Sequence, residues 1–193
     1  MAENNLNSRK EEIEALVEKV KEGDHDAFGV LYDILSNPLY QYIYYRVKSE
    51  DAEDLLETVF LKVWENINKY TAGKSAFSAW VFRIAHNLVI DYYRSAKDRD
   101  IAELTIDIRD HKREHNPTDQ IENKIDQKIL KTAIAKIRKV YRDILIYKFI
   151  NDFSNKEIAD ILKRSEGSVR ILQFRALKAL KGVLEEMGIK YDF

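Results

Sequence analysis

Apolar residues recur at helical spacing along most of the chain. Ile13, Leu16, Val17 and Val20 form one stripe, with Ser8 and Glu11 placed as a reciprocal cap and Gly23 as a stop, so a first helix is predicted from Ser8 to Gly23. A second begins near Asp24 and carries Ala27, Phe28, Leu31 and Ile34. Pro38 is expected to end it and restart the chain in an aromatic helix from Leu39 to Val47. Ser49 then caps a helix whose first turn is acidic (Glu50, Asp51, Glu53, Asp54), which suits the positive end of the helix dipole. Its apolar positions are Leu55, Leu56, Val59, Phe60, Val63, Trp64 and Ile67.

A polar loop from Asn68 to Ser75 leads into a long helix from about Ala76 to Lys97. Phe77, Trp80, Val81, Ile84, Ala85 and Leu88 make its apolar face, and Arg83, Asn87, Asp91 and Arg94 its polar one. Between Asp98 and Asn116 the periodicity fades into charge, which reads as a flexible linker ending at Pro117. Beyond it, Ile121, Ile125, Ile129, Ala133 and Ile137 mark a helix, followed by Val140 to Ile150. Ser154 and Glu157 form a capping box for a short helix. After Lys163-Arg164-Ser165 comes a long basic helix from about Glu166 to Glu186. A short helix with a small residue (Ala159), a tight turn and a basic second helix make a helix-turn-helix, whose second helix fits the major groove.

The expected fold is therefore all-α: two helical domains, 8–98 and 117–187, joined by a flexible linker over 99–116, the C-terminal one a helix-turn-helix. Composition agrees, since six Gly and two Pro in 193 residues are too few for a turn-rich strand fold. With no Cys there is no disulfide, thiolate metal site or cysteine nucleophile. No apolar run is long enough to span a bilayer and no secretory leader is visible, so no membrane insertion and a cytoplasmic location are expected. The net charge of −1 conceals segregation. Lys10 to Asn68 holds six basic against fourteen acidic residues, Lys69 to Arg99 six against two, and Lys131 to Leu184 thirteen against five. That pattern suggests an acidic protein-docking surface and two basic surfaces for DNA.

Two blocks carry a resemblance. Asp51–Trp64 (DAEDLLETVFLKVW) and Phe77–Arg94 (FSAWVFRIAHNLVIDYYR) resemble region two of bacterial sigma factors. Phe153–Ala159 (FSNKEIA) and Gly167–Arg170 (GSVR), with Arg175-Ala176, resemble region four. The short two-domain form is similar to the extracytoplasmic-function subgroup. The resemblance implies a dissociable, non-enzymatic subunit that binds core RNA polymerase and promoter DNA, with no cofactor and with an anti-sigma protein as a further candidate partner. It implies that the acidic helix docks on core polymerase through Asp51, Asp54, Leu55, Glu57 and Phe60. The long helix would meet the melted minus-ten element, and the helix-turn-helix the minus-thirty-five element.

The residues point the same way by their chemistry. Capturing unstacked bases needs aromatic walls, an amide for base edges and cations for phosphate. Lys69, Tyr70, Lys74, Arg83, Asn87 and Arg94 supply that set around one loop and helix. Trp64, Phe77 and Trp80, on an apolar stripe, are expected in the core. In the last helix Val169, Leu172, Ala176 and Leu180 are expected inside. Ser165, Ser168, Arg170, Ile171, Phe174, Arg175 and Lys178 are the candidates to face DNA, Arg reading guanine edges and Ile or Phe covering thymine methyls. Phe174 has an alternative place against the preceding helix, and Lys178 with Lys181 suits phosphate.

Four positions depart from the family pattern. Ile137-Arg138-Lys139 replaces Leu-Pro-Pro, so the helix is expected to run on. Asp152 and Lys163 stand where Gly is usual, and Gln173 where an apolar residue is. An enzyme is disfavoured because no Walker or dinucleotide glycine motif occurs, and His111 and His115, four apart in the linker, have no third metal ligand. A one-component repressor would leave the aromatic and amide set near Asn87 without a role.

Overall fold

A computed structural model describes Leu6, residues 9–97 and residues 129–189. The expected linker 99–116, Pro117, Ile121, Ile125, the two linker histidines and Ser8 lie outside the described residues. Those described are helical: α1 (Lys10–Lys21), α2 (His25–Tyr44), a 3-10 turn (Ser49–Asp51), α3 (Ala52–Asn66), a 3-10 turn (Ile67–Lys69), α4 (Phe77–Lys97), α5 (129–136), α6 (Lys139–Leu145) running into a π-turn (Ile146–Ile150), α7 (Asn155–Leu162) and α8 (Glu166–Glu186).

The local signals explain most boundaries. Asp24 caps α2 by accepting from the Ala27 N–H, and the Ser154–Glu157 capping box opens α7 with both reciprocal bonds present. α1 is capped differently from expectation. Its N-cap is Arg9, which makes no side-chain cap and instead holds Glu12 at 2.8 Å.

Two expectations about breaks are overturned. α2 passes through Pro38 without ending, because Leu35, Leu39, Tyr42 and Ile43 are buried on both sides of it. Packing over that length outweighs the one hydrogen bond a proline removes. Conversely, the helix does end before Lys139 although no proline is present. Arg138 turns extended (ψ 142), and the Arg142 guanidinium donates back to the carbonyls of Ile134 (3.1 Å) and Ala135 (2.6 Å). A side chain from the next helix satisfies the orphan carbonyls of α5.

The first half packs α1, α2, α3 and α4 on one another around Val17, Leu31, Leu35, Tyr42, Val59, Phe77 and Phe82. In the second half α6 and α7 pack on α8 around Ile144, Ile158, Val169 and Ala176. One continuous apolar cluster runs through both, since α7 also packs on α4 and the π-turn on α2.

Asp152 (φ 54) and Lys163 (φ 52) take the left-handed conformation at the two turns flanking α7. A side chain is strained there, and glycine is not. Lys163→Gly should therefore raise stability by about 0.5–1 kcal/mol, seen as a higher urea midpoint at unchanged slope. A lower midpoint would mean that the lysine side chain itself holds the turn.

Candidate nucleic-acid and polymerase interfaces

The expected minus-ten surface divides into an anchored end and an open helix face. Tyr70, expected to wall a base pocket, is only 4% exposed. Its hydroxyl lies 2.7 Å from the Glu14 carboxylate and 2.8 Å from the Ser75 carbonyl. Its ring packs edge-on against Phe77 and beside Trp80. Burial, and then Glu14, raise the phenol's pKa, so it stays neutral and donates. The same Glu14 accepts from the Phe77 N–H at 3.0 Å, placing a carboxylate at the positive end of α4. Tyr70 thus ties the loop to α1 and fixes where α4 begins, and its ring is not available to a base.

Between these anchors the loop stands out. Thr71, Ala72, Gly73 and Lys74 are exposed, with Gly73 at φ 85 making the turn. Lys69 is exposed and donates to Asn66 at 2.7 Å. A cleft of about 320 Å³ separates the loop from the start of α7, with Lys10, Glu14, Lys74, Lys156 and Asp160 on its walls. Along α4, Asn87 and Arg94 are exposed and Arg83 is half-buried. The four-residue and seven-residue steps put all three on one side, over about 16 Å of helix. Ile90, 46% exposed, lies on that side too. From sequence alone an isoleucine on a helix reads as core, which hides this position.

On α3 the side chains divide by face. Asp54 and Glu57 are exposed, Leu55 is half-buried, and Asp51 accepts from the Tyr92 hydroxyl at 2.6 Å. Phe60, expected at the docking surface, is 5% exposed beneath Phe28 and Tyr32, so it belongs to the core. The outward stripe is Asp54, Glu57, Leu61 (58% exposed) and Trp64 (41%). Trp64, expected inside, instead lies partly exposed against His25 and Phe28. The spacing 54, 57, 61, 64 is the signal that would have found Leu61.

The helix-turn-helix presents a clearer surface. Ser165 is the N-cap of α8, accepting from the Ser168 N–H, and Ser168 is half-buried. Arg170, Ile171, Phe174, Arg175 and Lys178 all point outward, Phe174 at 71% exposure, so it does not pack on α7. Residues 170 to 178 cover about 12 Å of helix, close to the width of a major groove. Val169 and Ala176 are buried and Leu172 and Leu180 half-buried, as expected. Gln173 does not disturb that face: its amide donates to Asn155 at 2.6 Å and joins α8 to the start of α7. Among the described residues no group of three or more His, Cys, Asp or Glu could hold a metal, and no helix is long and apolar enough to cross a membrane.

An acidic helix face, a cationic and amide face on a second helix, and a basic helix-turn-helix define a helical DNA-binding transcription protein in two parts. Residues 31–99 match sigma-70 region 2 and residues 127–180 match sigma-70 region 4. The chain is 31% identical over 189 residues to the ECF RNA polymerase sigma factor SigW of Bacillus subtilis, a match spanning 91% of this chain and 98% of SigW. It is 33% identical over 173 residues to the ECF sigma factor BldN of Streptomyces coelicolor, spanning 89% of this chain and 65% of BldN. The chain belongs to the extracytoplasmic-function (ECF) sigma factors. Its fold is similar to that of CnrH in complex with the cytosolic domain of CnrY (TM-score 0.69, 21% identity, covering 89% of this chain and 96% of that one). It is also similar to RpoE in complex with the anti-sigma factor NepR from Bartonella quintana (TM-score 0.67, 21% identity, covering 82% and 96%).

Tyr70→Phe removes the hydroxyl that serves Glu14 and Ser75 and leaves the part-buried carboxylate one donor short. The expected loss is about 1–3 kcal/mol of unfolding free energy at unchanged native helicity, measured by urea denaturation with circular dichroism. A loss near zero would free Tyr70 for another role.

Proposed function

We propose that this chain directs core RNA polymerase to promoters, binding it through the outward face of α3 and engaging the minus-thirty-five element with α8. It opens the minus-ten element with α4, and it catalyses no reaction itself. The observation that carries the reading is the side of α4 on which half-buried Arg83 and exposed Asn87 and Arg94 line up, held by the anchored Tyr70 loop. Asn87 offers both an amide donor and a carbonyl acceptor, so it can read a base edge once that base leaves the stack. Arg83 and Arg94 are positioned to follow the phosphates. Opening then draws on binding energy rather than on nucleotide hydrolysis, since each captured base offsets part of its unstacking.

On α3, Asp54 and Glu57 lie at the N-terminal end of the outward stripe and Leu61 and Trp64 at its C-terminal end. Acidic side chains next to an apolar patch suit a basic helical partner: the charges speed encounter and the apolar patch supplies the contact. On α8, Arg170 or Arg175 can bond a guanine edge and Ile171 or Phe174 can cover a thymine methyl. Lys178 suits phosphate and sets register. The complex of RpoE with the anti-sigma factor NepR supports an anti-sigma protein as a further partner for this chain.

The test compares two variants on one promoter. Asn87→Ala keeps the helix, so it should assemble with core polymerase normally yet lower the permanganate reactivity of promoter thymines. The defect should shrink on a template already melted by a mismatched bubble. Joint reversal of Asp54 and Glu57 to Lys should do the converse, weakening core binding by about tenfold or more. Unchanged permanganate reactivity for Asn87→Ala would remove that residue from the site.

A further inference from the structure

Ile90 is an apolar side chain that the fold itself does not use. Among the described residues of α4, every other large apolar side chain from Phe77 to Tyr93 lies in the apolar cluster or packs against it. Ile90 stands outside that cluster at 46% exposure. A scattered surface isoleucine is ordinary. This one is set in a polar stripe. Steps of four, three and four residues bring Arg83, Asn87, Ile90 and Arg94 within about 60° of one another around the helix. Along the axis the order is cation, amide, isoleucine, cation. Asn87 and Ile90 are about 4.5 Å apart in rise, and each has an arginine about 6 Å beyond it. Asp91, the one carboxylate in α4, is turned about 100° from Ile90 and lies at the edge of the stripe.

That order has a chemical counterpart in DNA. Arginines suit phosphates and an amide suits a base edge, while the C5-methyl of thymine is the aliphatic group that a base edge offers. Successive nucleotides are about 3.4 Å apart, so a group about 4.5 Å on from Asn87 meets the neighbour of the base that Asn87 reads. The side chain is also prepared for such a contact. A β-branched residue in a helix is held largely in one χ1 rotamer, so little freedom is lost when a partner covers it. Stacking is the weaker match, since isoleucine has no π-face to offer an unstacked base.

We infer that Ile90 is a specificity-determining residue of the minus-ten surface, covering the C5-methyl of a thymine beside the base that Asn87 reads. The inference rests on the promoter reading above and adds a base preference to it. Arg83 and Arg94 set register from either side, and Asn87 and Ile90 between them read two successive positions.

The test uses the full chain bound to core polymerase and a promoter recovered with this holoenzyme from genomic DNA. Each minus-ten thymine of either strand is replaced in turn by deoxyuridine, which removes the methyl and leaves base pairing unchanged. Equilibrium binding of the wild-type holoenzyme should weaken about fourfold at one such thymine, the effect of one buried methyl. Ile90→Ala should bind the natural promoter about fourfold or more weakly and should no longer distinguish thymine from deoxyuridine at that position. Ile90→Val, which keeps the branched Cβ, should retain most of the discrimination. Both variants should keep wild-type helicity and core affinity, because the side chain lies outside the apolar cluster. A wild type with no deoxyuridine-sensitive thymine, or an undiminished penalty in Ile90→Ala, would overturn the inference and leave Ile90 against sugar or solvent. A wild-type holoenzyme that binds this promoter no better than one with a scrambled minus-ten element would instead defeat the promoter reading, and this inference with it.

Discussion

The buried pair between Arg46 and Asp143 is the contact on which the arrangement of this protein turns. It joins α2 to α6, positions almost a hundred residues apart, and lies where Tyr42, Tyr147 and His86 converge. Taking two charges from water costs several kcal/mol per ion, and the attraction between them repays this only when the site around them is closed. The pair therefore favours the joined form only while the stacked Tyr42 and Tyr147 rings exclude water.

α4 is the element that all of this shares. Val81, Ala85 and Val89 face the core of the first half, Phe82, His86 and Tyr93 face the second half or the ridge beside it, and Arg83, Asn87 and Arg94 face outward. One helix thus has three faces, about 100° apart for successive residues. Its start is fixed by Glu14 and Tyr70, so the orientation of the outward face is set by a contact with α1. His86, on the seam between the two halves, and Asn87, on the outward side, are adjacent residues of this one helix.

Much of the helical plan was legible in the sequence, and the reason is local. The α7 capping box and the bounds of α8 follow from side chains within four residues of the helix ends, and periodicity separated Val169 and Ala176 from Arg170 and Phe174. What was not legible depended on distant partners. Pro38 reads as a break because its cost is local, while the packing that overrides it comes from other helices. The end of α5 has no sequence mark, since its cap is the side chain of Arg142 in the next helix. Tyr70 looked free because it sits in a polar loop, yet its partner, Glu14, is 56 residues away. Phe60 and Leu61 are neighbours of similar hydropathy, and only the placement of Phe28 and Tyr32 decides which turns inward. The seam joins segments separated by the linker, so no periodicity could reveal it.

The chain contains no cysteine, which allows spin labels to be placed at will. Labels at Lys62→Cys in α3 and Lys181→Cys in α8, both exposed and outside the seam, report the separation of the two halves by pulsed electron resonance. Because α7 packs on α4 and the π-turn on α2 within one apolar cluster, the distances in the free chain should form one narrow distribution. A broad distribution would contradict the account.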